Sequence, residues 1–81
     1  MKARVYVTPK QGVLDPQGLT IQKALSTLGY GQVSSVRQGK YFELQLEDHL
    51  TDQEARDLVM KIARDLLANP IVEDYRLEVE R

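Results

Sequence analysis

Apolar and polar residues alternate at the start of the chain. Ala3, Val5 and Val7 interleave with Lys2, Arg4, Tyr6 and Thr8, the period of a strand with one buried face, and Pro9 closes the run. The period then lengthens. Asp15 followed by Pro16 offers a helix an N-cap acceptor and then a residue whose missing N–H would have been unpaired anyway. Ile21, Ala24, Leu25 and Leu28 continue on one stripe, which predicts a face packed inward, and Gly29 supplies a left-handed stop. Val33 to Gln38 and Lys40 to Glu47 read as two strands joined around Gly39, either a hairpin or one long strand bent there. In the second of them Phe42, Leu44 and Leu46 alternate with Tyr41, Glu43, Gln45 and Glu47.

Thr51-Asp52-Gln53-Glu54 has the form of a capping box, in which Thr51 and Glu54 each satisfy a backbone N–H of the other. Ala55, Leu58, Val59, Ile62, Ala63 and Leu66 then step by three and four, Asp57 and Lys61 form a surface pair, and Asn69-Pro70 ends the helix. Ile71 to Val79 reads as a last strand, with Tyr75, Leu77 and Val79 on one face and Asp74, Arg76 and Glu78 on the other. The order β-α-β-β-α-β is that of the ferredoxin-like split βαβ. It predicts an α+β fold: one four-stranded antiparallel sheet with two helices on the same face. The uncovered face would carry Arg4, Tyr6, Thr8, Tyr41, Glu43, Gln45, Arg76 and Glu78, and Tyr6 and Tyr41 suit it to self-association or docking.

Length narrows the picture. Eighty-one residues make a single domain, 1–81, whose folding buries only about 60% of the chain's surface. There is no cysteine and only one histidine, so neither disulfides nor a thiolate zinc site can reinforce the core, which leaves oligomerisation as the reinforcement. The first residues lack the apolar core of a signal peptide, and no stretch approaches the ~20 apolar residues of a membrane span, so a cytoplasmic location is expected. Eleven basic and twelve acidic residues are interspersed, which argues against a nucleic-acid partner.

Candidate chemistry is thin. His49 sits in Glu47-Asp48-His49-Leu50, where consecutive residues of a turn point in different directions, and Ser34-Ser35 has no activating base nearby. The loop Gln11 to Gly18 leads into a helix N-terminus, but no Lys-Ser or Lys-Thr follows as a phosphate loop requires, and Asp15 competes for the same N–H groups. Arg37-Gln38-Gly39-Lys40-Tyr41 places two cations and a tyrosine on a turn, the composition of an interface anchor as well as of a solvated tip. No catalytic, metal-binding or cofactor-binding residue is therefore assigned.

Three longer words carry a resemblance. Gly12-Val13-Leu14-Asp15-Pro16-Gln17-Gly18, Val36-Arg37-Gln38-Gly39-Lys40-Tyr41, and Leu66-Leu67-Ala68-Asn69-Pro70-Ile71-Val72-Glu73-Asp74-Tyr75, with Ala24-Leu25 and Leu28-Gly29 between them, occur in the order and spacing of the PurS family. The chain thus resembles the small subunit of phosphoribosylformylglycinamidine synthase over nearly its whole length. The resemblance implies a non-catalytic part in purine synthesis, bridging a glutaminase subunit and a large synthetase subunit and supporting ammonia transfer. It also implies self-association, commonly as a dimer, with ATP and magnesium expected on the large subunit and no cofactor on this chain. The implied partner contacts are Gly12, Asp15, Pro16, Gln17 and Gly18; Arg37, Lys40 and Tyr41; and Asn69 and Pro70. A stand-alone regulatory module binding a small ligand between paired protomers is the alternative.

Overall fold

The structure, a computed structural model, describes residues 1–81. β1 (Lys2–Pro9) forms the centre of a three-stranded antiparallel sheet ordered β2 (Lys40–Gln45), β1, β3 (Glu73–Glu80). Its register sets Val5 opposite both Phe42 and Leu77, and Ala3 opposite both Leu44 and Val79. All the alternating apolar residues therefore share one face, as the period of two requires.

α2 (Asp52–Ile62) lies on that face. Both halves of its capping box form: Thr51 Oγ1 accepts from the Glu54 N–H at 3.1 Å, and Glu54 Oε1 accepts from the Thr51 N–H at 2.9 Å. Ala55, Val59 and Ala63, four residues apart, are fully buried, and the last two join Ala3, Val5, Val7 and Ala68 in the core. Asp57 takes a hydrogen bond from Gln53. A π-helical turn, Ala63–Leu67, follows α2, closed by the Ala68 N–H donating to the Ala63 carbonyl at 2.8 Å. The extra residue in that turn rotates everything after it. Leu66, expected in the core, is 79% exposed, while Leu67 packs partly against the core and Ala68 is buried.

The last strand also begins later than its hydropathy suggested. The Asn69 carbonyl accepts from the N–H groups of both Val72 and Glu73, so Ile71 and Val72 belong to a turn and are exposed.

α1 (Pro16–Thr27) begins at the expected cap, with the Asp15 carboxylate accepting from the Gly18 N–H at 3.0 Å, and ends beside Gly29 at φ +98°. Its surroundings correct two expectations. The sheet has three strands rather than four, because Val33–Gln38 does not join it. Only α2, not both helices, covers the apolar face, since α1 has no extensive contact with any strand and leaves Ile21 and Leu28 exposed. Instead α1 and Val33–Gln38 lie side by side as an arm. Gln22 Nε2 donates to the Ser34 carbonyl at 2.7 Å, and the Gln38 N–H donates to Asp15 Oδ2 at 2.7 Å. A periodic pattern reports that a face is apolar, not that its own chain covers it. The molecule is accordingly elongated, 51 × 25 × 14 Å, with a radius of gyration of 16.1 Å, where a compact domain of this length has about 12 Å.

Candidate partner-docking site

The three expected contact regions emerge from one end of the sheet. β1 ends at Pro9 opposite Glu73, and its Val7 stands opposite both Lys40 and Tyr75. From that end the chain leaves through Lys10–Asp15, returns at Lys40, and passes Asn69 and Pro70 before re-entering at Glu73.

The loop before α1 owes its shape to two glycines. Gly12 takes φ +84°, a conformation glycine adopts without a steric penalty. Gly18 lies so close to the returning segment that a Cβ would stand 2.2 Å from the Val36 carbonyl oxygen. That contact lets the first turn of α1 sit against Val33–Gln38. The Asp15 carboxylate then joins helix to segment, and Gln38 Nε2 donates to Gln17 Oε1 at 2.6 Å. Hydrogen bonds from the N–H groups of Gln38 and Gly18 hold the Asp15 carboxyl below its ordinary range, with a smaller contribution from the nearby Arg37 guanidinium. Between loop and arm lies an open cavity of about 400 Å³ whose lining includes Lys10, Leu14, Asp15, Gln22, Ser35 and Arg37.

The Asn69-Pro70 turn is satisfied internally. Asn69 Oδ1 accepts from the Ile71 N–H at 3.1 Å, and the Asn69 N–H donates to Glu73 Oε1 at 2.7 Å. Glu73 stands 3.9 Å from Lys40 Nζ, and Lys10 pairs with Asp74 at 3.2 Å. The structure thus brings Lys40 and the Asn69 turn together through Glu73. Asp15, Gln17 and Gly18 are joined instead to Val36 and Gln38. Pro16 is exposed at the start of α1, and Arg37 is exposed beside Asp15. Gln22, Gln38 and Glu73 hold these pieces in place and were not singled out by sequence; polar side chains bonded to distant backbone leave no local signature.

Tyr6 and Tyr41 occupy the outer face of the sheet, directly opposite each other, with ring centroids 5.1 Å apart. Arg76 stacks on Tyr6 at 4.2 Å, in cation–π range. The Tyr41 hydroxyl donates to Glu43 at 2.8 Å, a bond to the neutral phenol that raises its pKa. Arg4 and Glu80 pair at 2.5 Å on the same face. That hydrogen bond, reinforced by charge, raises the guanidinium pKa and lowers that of Glu80. A rigid patch of tyrosine and arginine is the usual composition of an interface hot spot.

The candidate reactive groups do not converge. His49 is exposed, with Nδ1 3.2 Å from Glu47, and no group of three or more histidine or acidic side chains is arranged around a point where a metal ion could sit. No helix is long and apolar enough to cross a membrane.

A family model described as phosphoribosylformylglycinamidine (FGAM) synthase, PurS, matches residues 2–81. A PurS subunit of phosphoribosylformylglycinamidine synthase from Bacillus subtilis is 48% identical over 79 residues, spanning 98% of this chain and 92% of the relative. The corresponding Methanocaldococcus jannaschii subunit is 38% identical over 80 residues, 99% and 95% of the two chains. The structure of Bacillus subtilis PurS superposes with a TM-score of 0.88 over 99% of this chain and 98% of that one. A chain in the PurLQS structure from Thermotoga maritima does so at 0.85, with 32% identity and coverage of 95% and 93%.

Proposed function

Because this chain belongs to the PurS family of phosphoribosylformylglycinamidine synthase subunits in purine biosynthesis, we propose that it bridges the glutaminase and ATP-dependent synthetase subunits and supports ammonia transfer between them. The chemistry, conversion of formylglycinamide ribonucleotide, glutamine and ATP to formylglycinamidine ribonucleotide, glutamate, ADP and phosphate, belongs to those partners, and so do ATP and magnesium. The observation that carries this reading is the near full-length superposition on a chain of the PurLQS structure. The geometry supports it. The Gly12–Gly18 loop, the Arg37 and Lys40 turn and the Asn69-Pro70 turn stand at one end of the sheet, where one partner could engage all three, and the Tyr6–Tyr41–Arg76 patch offers a separate face. Self-association is part of the same reading.

Reconstitution tests it. Glutamine-dependent turnover requires this chain together with both larger subunits, whereas turnover supplied with free ammonia does not, since free ammonia needs no delivery. Arg37→Glu reverses an exposed charge, keeps the native circular dichroism spectrum and weakens assembly about tenfold. Full glutamine-dependent activity without this chain would falsify the proposal.

A further inference from the structure

The cavity between the Lys10–Asp15 loop and the arm is chemically lopsided. Its lining combines four apolar side chains, Val13, Leu14, Leu19 and Val36, with the charged groups of Lys10, Asp15 and Arg37. Two of those charges are already engaged within the chain. The Asp15 carboxylate accepts from the N–H groups of Gly18 and Gln38, and the Lys10 ammonium pairs with Asp74 at 3.2 Å. Arg37 is left over: it is exposed and enters none of the chain's ion pairs.

Leu14, 76% exposed, stands on a loop held from both sides. Before it, the Val13 N–H donates to the Lys10 carbonyl at 3.1 Å in a turn that takes Gly12 to φ +84°. After it, the two bonds to the Asp15 carboxylate fix the start of α1. A leucine presented this way loses little freedom when it is covered, so most of its burial goes into affinity. An exposed aliphatic side chain beside a lone guanidinium is complementary to an apolar group that carries a carboxylate next to it.

A small molecule fits this site poorly. Ligand pockets grip by a few fixed polar groups that converge, yet no polar side chain in this chain is buried. A protein segment suits it better, because a stable interface covers ~800 Å² on each partner and the adjoining surface shares in the binding. Resting on the reading above that this end of the sheet meets the larger subunits, we propose that the cavity takes an acidic, apolar segment of one of them. An aliphatic or aromatic side chain of that segment packs on Leu14, Leu19 and Val36, and an adjacent Asp or Glu pairs with Arg37. Asp15 keeps its own charge on its N–H donors, which leaves Arg37 for the partner.

Two variants separate the apolar half of the contact from the charged half. Leu14→Ala and Arg37→Gln both alter exposed side chains, so each should keep the native circular dichroism spectrum and melting temperature. Each should weaken assembly with the larger subunits about tenfold. Only Arg37→Gln should also flatten the fall of affinity with added salt, because Leu14 contributes no charge. Leu14→Ala that assembles as tightly as wild type would overturn the proposal, and so would an unchanged salt response in Arg37→Gln.

Should either variant unfold, crosslinking decides. Gln11→Cys, at the rim of the cavity in a chain otherwise without cysteine, carries a benzophenone label into the reconstituted complex. Irradiation should join it to a larger subunit, within a peptide where an apolar residue adjoins Asp or Glu. Crosslinks only to a second copy of this chain, or to a peptide with no acidic residue, would overturn the site and leave the bridging role standing. An assembled complex with full glutamine-dependent turnover and no crosslink would do the same. A wild-type chain that assembles with neither larger subunit would instead remove the bridging role and this site with it.

Discussion

Val59→Ala and Leu66→Ala, two truncations on adjacent parts of one helical segment, should differ sharply. Val59 is fully buried among Ala3, Val5, Val7 and Ala63, on a face built of small residues and a sheet that cannot close around a gap. Removing two methyl groups there forfeits about 1.6 kcal/mol of transfer free energy. The residual void adds about 1 kcal/mol more. A loss of about 2–3 kcal/mol is large for a chain whose total stability is on the order of 4–12 kcal/mol, and it should lower the melting temperature by roughly 10–20 °C. Leu66 points to solvent after the π-helical turn, and its truncation should cost less than about 0.5 kcal/mol in the monomer. Urea denaturation at low protein concentration measures both, where any association would add least to stability. If Leu66→Ala proved the more damaging of the two, the π turn would be wrong and the helix would continue in α register to residue 66.

Three further outcomes follow from local geometry. Thr51→Ala removes the side chain that accepts from the Glu54 N–H and should cost about 1 kcal/mol by denaturant titration. Gly39→Ala would set a Cβ 2.2 Å from the Val7 carbonyl oxygen and 3.2 Å from Thr8 Cγ2, so β1 or β2 must shift, at a cost of about 1–3 kcal/mol in the same assay. The Asp15 carboxyl is held below its unfolded value by N–H donors, so its contribution to the arm is complete above the ordinary carboxylate range and is lost as pH falls through the depressed value. Amide protection at Gln38 and Gly18, the exchange rate relative to that of an unstructured chain at the same pH, should fall below about pH 4 and stay constant above pH ~5. Protection unchanged down to pH ~2 would show that the carboxylate does not hold the arm.

Elements whose determinants lie within a few residues were legible in the sequence. The Asp15 cap, the Thr51–Glu54 box, the Gly29 stop and the alternation in β1 and β2 each rest on contacts inside one turn or one strand pair. The π turn was not legible. Ala63 to Leu67 continues the apolar spacing smoothly, and its register is decided by the fit of Ala63 and Ala68 under the sheet. The start of β3 failed for a similar reason, since Asn69 captures Val72 and Glu73 in a turn that hydropathy cannot register.

The missing fourth strand and the unpacked α1 are a different kind of miss. Ile21, Leu25 and Leu28 do form an apolar stripe, but Val33 to Gln38, expected as a strand, stays outside the sheet. Neither segment completes or covers the sheet of this chain. The outer-face residues Tyr6 and Tyr41 were legible as a pair because strand parity alone aligns them, whereas Asp15 and Gln38, 23 residues apart, meet only because Gly18 lets the helix approach Val36. Local pattern therefore specifies which surfaces must be covered. Chain geometry decides whether those surfaces are covered within the chain, and here the Asp15 and Gln22 hydrogen bonds keep α1 alongside residues 33–38, away from its own sheet.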